Sequence, residues 1–246
     1  MMVLAIAGRE LRSLFLSPLA WVLLAVIQII LGYMFTTQVD FFLQLQPRLA
    51  VTADAPGVTE IVVGPFFGNA ALVLLLIVPL LTMRLISDEL RNRTLSLLFS
   101  APVSMTEIVL GKYLGTLGFI AVMMVLIALM PLSLLSGGAL DFGLLFSGLF
   151  GLFLMLAAFA AIGLFMSALT AQPVVAAIAT FGALLMLWIV DWNGDSKVFA
   201  ALSIVRHYEP LLRGIVSTRD IAYYLIVIFA FLALSVRRLD SYRLQH

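Results

Sequence analysis

Six stretches of this chain contain no Asp, Glu, Lys, Arg or His: Leu19–Phe35, Phe66–Met83, Tyr113–Leu135, Phe142–Leu169, Val174–Val190 and Ile221–Val236. A membrane-spanning helix needs about 20 largely apolar residues. Lipid offers a backbone no hydrogen-bond partners, so such stretches cross it as helices. The pattern predicts an all-α membrane protein with six transmembrane helices, the fourth long enough to tilt or project. Everything between the spans is connection, so residues 1–246 are expected to form one transmembrane domain. A soluble globule is excluded by the same property. The chain is 63% hydrophobic and 11% charged, against about 45–50% and about 25% in soluble domains, and a globule must show a surface.

Basic residues in the short flanks set the orientation. Arg9 and Arg12 precede the first span, Arg84, Arg91, Arg93 and Lys112 lie between the second and third, and Arg237, Arg238 and Arg243 follow the last. With six spans these three groups share one side, expected to be cytoplasmic together with both termini. The opposite side receives Thr36–Pro65 and Ser136–Asp141, plus the mixed-charge connection Asp191–Asp220. The apolar run Met1–Ala7 is short and meets Arg9, Glu10 and Arg12 at once. It is a poor signal peptide, so the first span is expected to remain in the mature chain.

The charge-free spans narrow the function. Ion-coupled pumps and intramembrane enzymes need ionisable or nucleophilic groups at depth, and here only amides and hydroxyls such as Gln28, Asn69, Ser147 and Thr180 are available. Among ion-coupled proteins this leaves open only secondary carriers that work through backbone and hydroxyl groups. No G-x-x-x-x-G-K-[ST] occurs, so the chain has no P-loop of its own. Cys is absent and His occurs only twice, which leaves no thiolate metal site and little for any other metal centre. A net charge of +1 gives no reason to expect nucleic acid. Energy for uphill movement is therefore expected from a partner.

The connection Ile86–Lys112 reads as an amphipathic helix followed by a turn. Ser87 is placed to cap it, and Asp88 and Glu89 fall in the first turn, where the helix dipole favours acid. Leu90, Leu97, Leu98 and Ala101 form one apolar stripe, with Arg91 and Arg93 on other faces. Ala101-Pro102 ends the helix. Periodicity alone leaves two readings open, a membrane-surface helix and a partner-docking helix.

Gly163–Phe181 reads as a tight hairpin between two spans, with Pro173 at the first turn of the second arm. Small residues recur at four-residue spacing on its arms: Ala157/Ala161 and Gly163/Ser167, then Ala176/Thr180 and Ala179/Ala183. Such stripes allow close helix packing in membranes. Asp191–Asp220 is too apolar for a free loop and too interrupted for a span, and is read as short interfacial or re-entrant helices. Its polar cluster is Arg206, His207, Tyr208, Glu209, Arg213 and Asp220, which on their own could be no more than solvated charges. At the other end, Met2–Phe15 places Leu4, Leu11, Leu14 and Phe15 on one face, an elbow helix along the inner surface that Ser17-Pro18 turns into the first span.

Asp88-Glu89, Thr94-Leu95, Leu97-Leu98, Pro102-Val103-Ser104 and the apolar run Ile108–Lys112 together resemble the signature of ABC-2-type transporter permeases. The pattern Gly-Leu-Phe, Ser-x-Leu-Thr, Gln, Ala-Ala in the hairpin is similar to the same family, as is Arg9-Glu10 with Phe15 and Ser17-Pro18. His207-Tyr208, Arg213-Gly214, Asp220 and Tyr223-Tyr224 are similar to its gliding-motility (Gld-type) branch. Two departures stand out: Arg93 where the family usually has a small residue, often Gly, and Pro173 in place of an apolar residue.

The resemblance implies a permease subunit in a bacterial inner membrane, powered by a separate ABC ATPase that binds ATP and Mg, with no cofactor in this chain. It implies a second permease copy or paralogue, leaves room for an accessory protein on the outer face, and by family habit implies export. Asp88, Glu89, Arg91, Arg93, Thr94, Leu95 and Leu98 are then expected to couple to the ATPase. Arg206, His207, Tyr208, Glu209, Arg213 and Asp220 are expected at the outer gate, and Ala157, Ala161, Gly163, Ser167, Ala176 and Thr180 in helix packing. The alternative is a non-transporting module that passes force from a cytoplasmic ATPase to an outer partner.

Overall fold

A computed structural model describes residues 2–49, 57–93, 104–136, 140–190 and 197–245. All regular structure among them is helical. In chain order the helices are α1 (Met2–Leu16), α2 (Pro18–Leu49), α3 (Gly64–Thr82, entered through a π-helical turn, Thr59–Val63), α4 (Ser87–Arg91) and α5 (Met105–Leu132). There follow α6 (Phe142–Leu169), α7 (Pro173–Ile189), α8 (Lys197–Leu202), α9 (Ile204–Leu212) and α10 (Thr218–Gln245).

The local chemistry explains where these helices begin. At α5, Ser104 accepts from the Glu107 backbone N–H while the Glu107 carboxylate accepts from the Ser104 N–H at 3.0 Å, a reciprocal capping box. The Asp141 carboxylate accepts from Gly143 and Leu144 at the head of α6, and its own N–H donates to Thr59 Oγ1 at 2.9 Å, which ties α6 to the entry of α3. Pro173 occupies the first turn of α7, where its missing N–H costs nothing.

Five helical segments are long and apolar enough to cross a membrane: Pro18–Arg48, Thr59–Arg91, Met105–Leu135, Phe142–Leu169 and Thr218–Tyr242. The fifth span, expected at Val174–Val190, is the helix Pro173–Ile189, which is apolar but shorter, about 26 Å at 1.5 Å per residue. Boundaries also move outward. The first helix continues past Phe35 to Leu49, so the first half of the expected outer connection is an extension of that span. A helix loses nothing by projecting into water, where its backbone bonds stay internal.

α6 is the central post. Of its apolar window 72% is buried, against 50% or less in the other long helices. It packs against α3, α5, α7, α9 and α10, and alanines and glycines line it from Gly148 to Ala168, which is what lets so many neighbours approach. Outward faces stay apolar, with Ile29, Tyr33, Val125, Met186 and Phe229 exposed, as a lipid-facing surface requires.

α1 has no buried residue of its own, yet it lies close against α5. An added Cβ at Gly111 would stand 2.6 Å from Ile6, and one at Gly115 2.7 Å from Glu10 and 2.9 Å from the Ala7 carbonyl. Two glycines at four-residue spacing open the groove that α1 occupies. The face used carries Ile6, Ala7, Glu10 and Leu11, with Leu14 and Phe15 also packed on the core, while Leu4 of the expected apolar face is 72% exposed. The glycines set how closely α1 approaches, and Leu11, Leu14 and Phe15 of the apolar face turn inward with it.

Candidate functional site

α4 leaves the end of α3 and is fastened on two sides. On the first, Lys112 of α5 is only 5% exposed. Its Nζ lies 2.8 Å from Glu89 Oε1 and 3.3 Å from Glu10 Oε2. A lysine is almost never buried unless paired, and this one joins three elements, α1, α4 and α5. Removing it would leave two carboxylates facing each other across a half-closed cleft.

On the second side, Ser167 near the end of α6 supplies the cap that α4 lacks. Its Oγ accepts from the backbone N–H groups of Ile86 and Ser87, each at 3.0 Å, and donates to the Met83 carbonyl at 3.1 Å. Ser87, expected to cap α4, instead turns its hydroxyl back to the same Met83 carbonyl, and no side chain of the segment itself caps the helix. The approach that permits this is tight. A Cβ at Gly163 would fall 2.1 Å from Thr82 Oγ1, so only glycine lets α3 and α6 meet one turn before Ser167.

The helix that begins at Ser87 closes at Arg91 and does not run on to Ala101 as one piece. Arg93 has φ +56°, the left-handed conformation that terminates helices and that residues with a Cβ adopt at a cost. Thr94, Leu95 and Leu98, with the Leu97–Ala101 part of the stripe, lie outside the described residues. Among the expected coupling residues that are described, Asp88 and Glu89 are half-buried and Arg91 and Arg93 exposed.

The opposite end of the bundle is closed by α9. Tyr208 and His207 are buried, while Arg206, Glu209 and Arg213 are exposed. The His207 ring donates from Nδ1 to Asp220 Oδ1 at 2.6 Å and stacks on Tyr223 with ring centres 4.1 Å apart. Tyr224 Oη–H donates to the Ile204 carbonyl at 2.9 Å and Tyr223 to that of Leu202 at 2.7 Å. Tyr208 donates to the Phe67 carbonyl, and Ser147 Oγ–H to that of Leu211. Burial pushes the Tyr208 phenol well above its ordinary range, so it remains a donor. α9 is thereby pinned to α3, α6 and α10 at once. The expected gate residues divide accordingly: His207, Tyr208 and Asp220 form the inner clasp, and the three remaining charges face outward.

All the expected packing residues are buried: Ala157, Ala161, Gly163 and Ser167 on α6, and Ala176 and Thr180 on α7. Ala179, the other small-residue row of α7, is exposed. Sequence reading missed Glu10, Lys112, Gly111, Gly115 and Thr82 as working residues. A signal for the glycines was present in Gly-Lys-Tyr-Leu-Gly at 111–115, a small-x-x-x-small motif with the lysine inside it. The N-terminal helix, α4 and the C-terminal half of α10 share one end of the bundle, since Phe231 of α10 packs on Phe165 near the end of α6.

Among the described residues no group of three or more His, Cys, Asp or Glu side chains could hold a metal. The chain matches the family described as ABC-2 family transporter protein over residues 4–242. No curated protein matches it.

Proposed function

The chain belongs to the ABC-2 transporter family, and on that premise we propose that it is the six-span permease subunit of an exporter whose ATPase is a separate chain. The observation that carries this reading is the double fastening of α4. A partner that displaces α4 pulls on α6 through Ser167 and on α5 and α1 through Lys112. The movement is thus delivered to the centre of the bundle. The six apolar stretches at the core of the spans carry no Asp, Glu, Lys, Arg or His, and Lys112 and Asp220, near helix starts, are engaged in ion pairs, which supports energy arriving from outside the membrane.

In this reading Pro173–Ile189 is the sixth span, both termini and α4 are cytoplasmic, α1 is the elbow helix, and α8 and α9 form the outer closure. Kinship with the Gld-type branch rests on the residues His207-Tyr208, Arg213-Gly214, Asp220 and Tyr223-Tyr224. ATP and Mg are bound by the partner, and a second permease copy or paralogue completes the path across an inner membrane.

The test is co-purification of the tagged chain in mild detergent, with the associated P-loop ATPase measured for wild type and Arg91→Glu. Arg91 is the exposed charge of α4, whereas Glu89 is turned toward Lys112 and its reversal would disturb the bundle itself. A stoichiometric ATPase lost in Arg91→Glu supports the reading, and a chain that folds without binding any ATPase overturns it. Hydrolysis without substrate flux in vesicles would assign the complex to force transmission.

A further inference from the structure

A cleft of about 320 Å³ opens between α1, α2, the end of α3 and α4, with Lys112 at its edge. Its chemistry is divided. Leu19, Leu23, Leu80 and Leu81 form an apolar wall, and Arg9, Arg84 and Asp88 line the polar part. Lys112 already answers Glu10 and Glu89. Arg9, Arg84 and Asp88 make no side-chain hydrogen bond or ion pair among the described residues. Two guanidiniums and one carboxylate are therefore left over in one half-apolar cleft.

The depth of the cleft is marked by Trp21. It lies between Leu19 and Leu23 on α2, is 59% exposed, and donates Nε1–H to the Phe15 carbonyl at 2.8 Å. Exposed tryptophans are enriched at the headgroup level of a bilayer, and Trp21 placed there sets the level of the cleft. The apolar wall then faces the start of the acyl chains and the charges face the headgroups.

We propose that this cleft holds one resident phospholipid with a phosphoethanolamine headgroup, its phosphate between Arg9 and Arg84 and its ammonium on Asp88. Guanidinium is the side chain best suited to a phosphate oxygen pair. A headgroup carrying only the phosphate leaves Asp88 unmatched. Phosphocholine presents a cation that cannot donate a hydrogen bond, whereas the primary ammonium of ethanolamine can. The site does not depend on an ATPase partner and can be tested on the purified chain.

The experiment reconstitutes the full chain in nanodiscs of equal parts phosphatidylethanolamine, phosphatidylglycerol and phosphatidylcholine, re-extracts it in detergent, and measures the co-purified lipid by mass. Phosphatidylethanolamine should be retained preferentially by wild type and by Arg12→Gln, an exposed arginine of α1 outside the cleft. Retention should fall about tenfold in Arg9→Gln and in Arg84→Gln, as expected for losing one charge-assisted hydrogen bond. Asp88→Asn should keep a bound phospholipid but lose the preference for phosphatidylethanolamine over phosphatidylglycerol. Equal retention of all three lipids by wild type, or retention unchanged by both arginine variants, overturns the proposal. Displacement of the lipid by inorganic phosphate at low concentration overturns it as well, since it assigns the arginines to a soluble anion.

Discussion

Lys112 Nζ lies 2.8 Å from Glu89 Oε1, so an acidic residue of α4 that reads in the sequence as part of a docking surface is turned into the bundle. The lysine side chain is 7% exposed and the two carboxylates 20% and 25%. In so enclosed a cluster the loss of one partner costs more than the net worth of the pair, because the remaining charge stays desolvated. Lys112→Met is expected to destabilise the protein by about 3 kcal/mol. Lys112→Met combined with Glu89→Gln should recover part of that loss. Thermal unfolding in detergent measures both, and a Lys112→Met variant that melts with wild type would show the cluster to be solvated.

Ser167 and Ser87 sit at the same junction with different duties. Ser167 satisfies two backbone N–H groups, whereas Ser87 only adds a donor to a carbonyl that Ser167 also meets. Ser167→Ala should cost about 1–2 kcal/mol, the range for losing a cap, and Ser87→Ala clearly less. Amide exchange at Ile86 and Ser87 is the direct readout, with faster exchange expected in Ser167→Ala alone. Equal exchange in the two variants would remove Ser167 from the junction.

Gly163→Ala places a methyl where Thr82 Oγ1 already stands. Both positions belong to helices fixed by several neighbours, so overpacking of about 1–3 kcal/mol or more is expected. Thr82→Ala removes the closest atom but leaves its Cβ 2.7 Å from the added carbon. The double variant should therefore recover only part of the stability. Full recovery, read from the unfolding midpoint, would mean that the backbones separate more easily than this packing implies.

His207, Asp220 and Tyr223 hold α9 to the head of α10 through one short hydrogen bond and one ring stack. Asp220→Ala leaves a buried imidazole without its acceptor, at a cost of about 2 kcal/mol. His207→Ala loses both contacts and should cost at least as much. Because the two share one interaction, the double variant should fall well short of the sum. Additive losses would show that the pair is not coupled.

The spans were legible because their signal is composition, and composition survives without knowledge of neighbours. Phe142–Leu169 has the same ends in sequence and structure, since Asp141 caps one end and Thr170–Gln172 break the other. In number, the expected six spans and the five helices of full spanning length differ over Pro173–Ile189, where a proline start and a short apolar run limit the helix. The charged cluster was not legible. Glu10 and Lys112 are far apart in the chain, and nothing in either flank says that Gly111 and Gly115 bring α1 close enough for them to meet. Ser87 looked like a cap because a serine before an acidic pair usually is one, but α6 had already delivered Ser167 to the same N–H groups. At the α9 end of the bundle His207, Tyr208 and Asp220 stand out as residue types, while the division into buried clasp and exposed charges needed the fold.

Arg93 is the described non-glycine residue with positive φ, at +56°. Forcing a residue with a Cβ into this region costs roughly 1–2 kcal/mol. Glycine avoids that cost but gives back about 0.5–1 kcal/mol through the greater freedom of its unfolded chain. Arg93→Gly should therefore stabilise by up to about 1 kcal/mol, raising the unfolding midpoint by about 2–4 °C. Arg93 also has an interaction within the protein, so Arg93→Asn serves as the control: it loses the guanidinium but tolerates the left-handed region. Arg93→Val, β-branched, should destabilise clearly more than either. The order Gly, Asn, Val in falling stability places the strain in the backbone at this turn. Equal losses in all three would mean that the guanidinium, and not the conformation, decides the residue at this position.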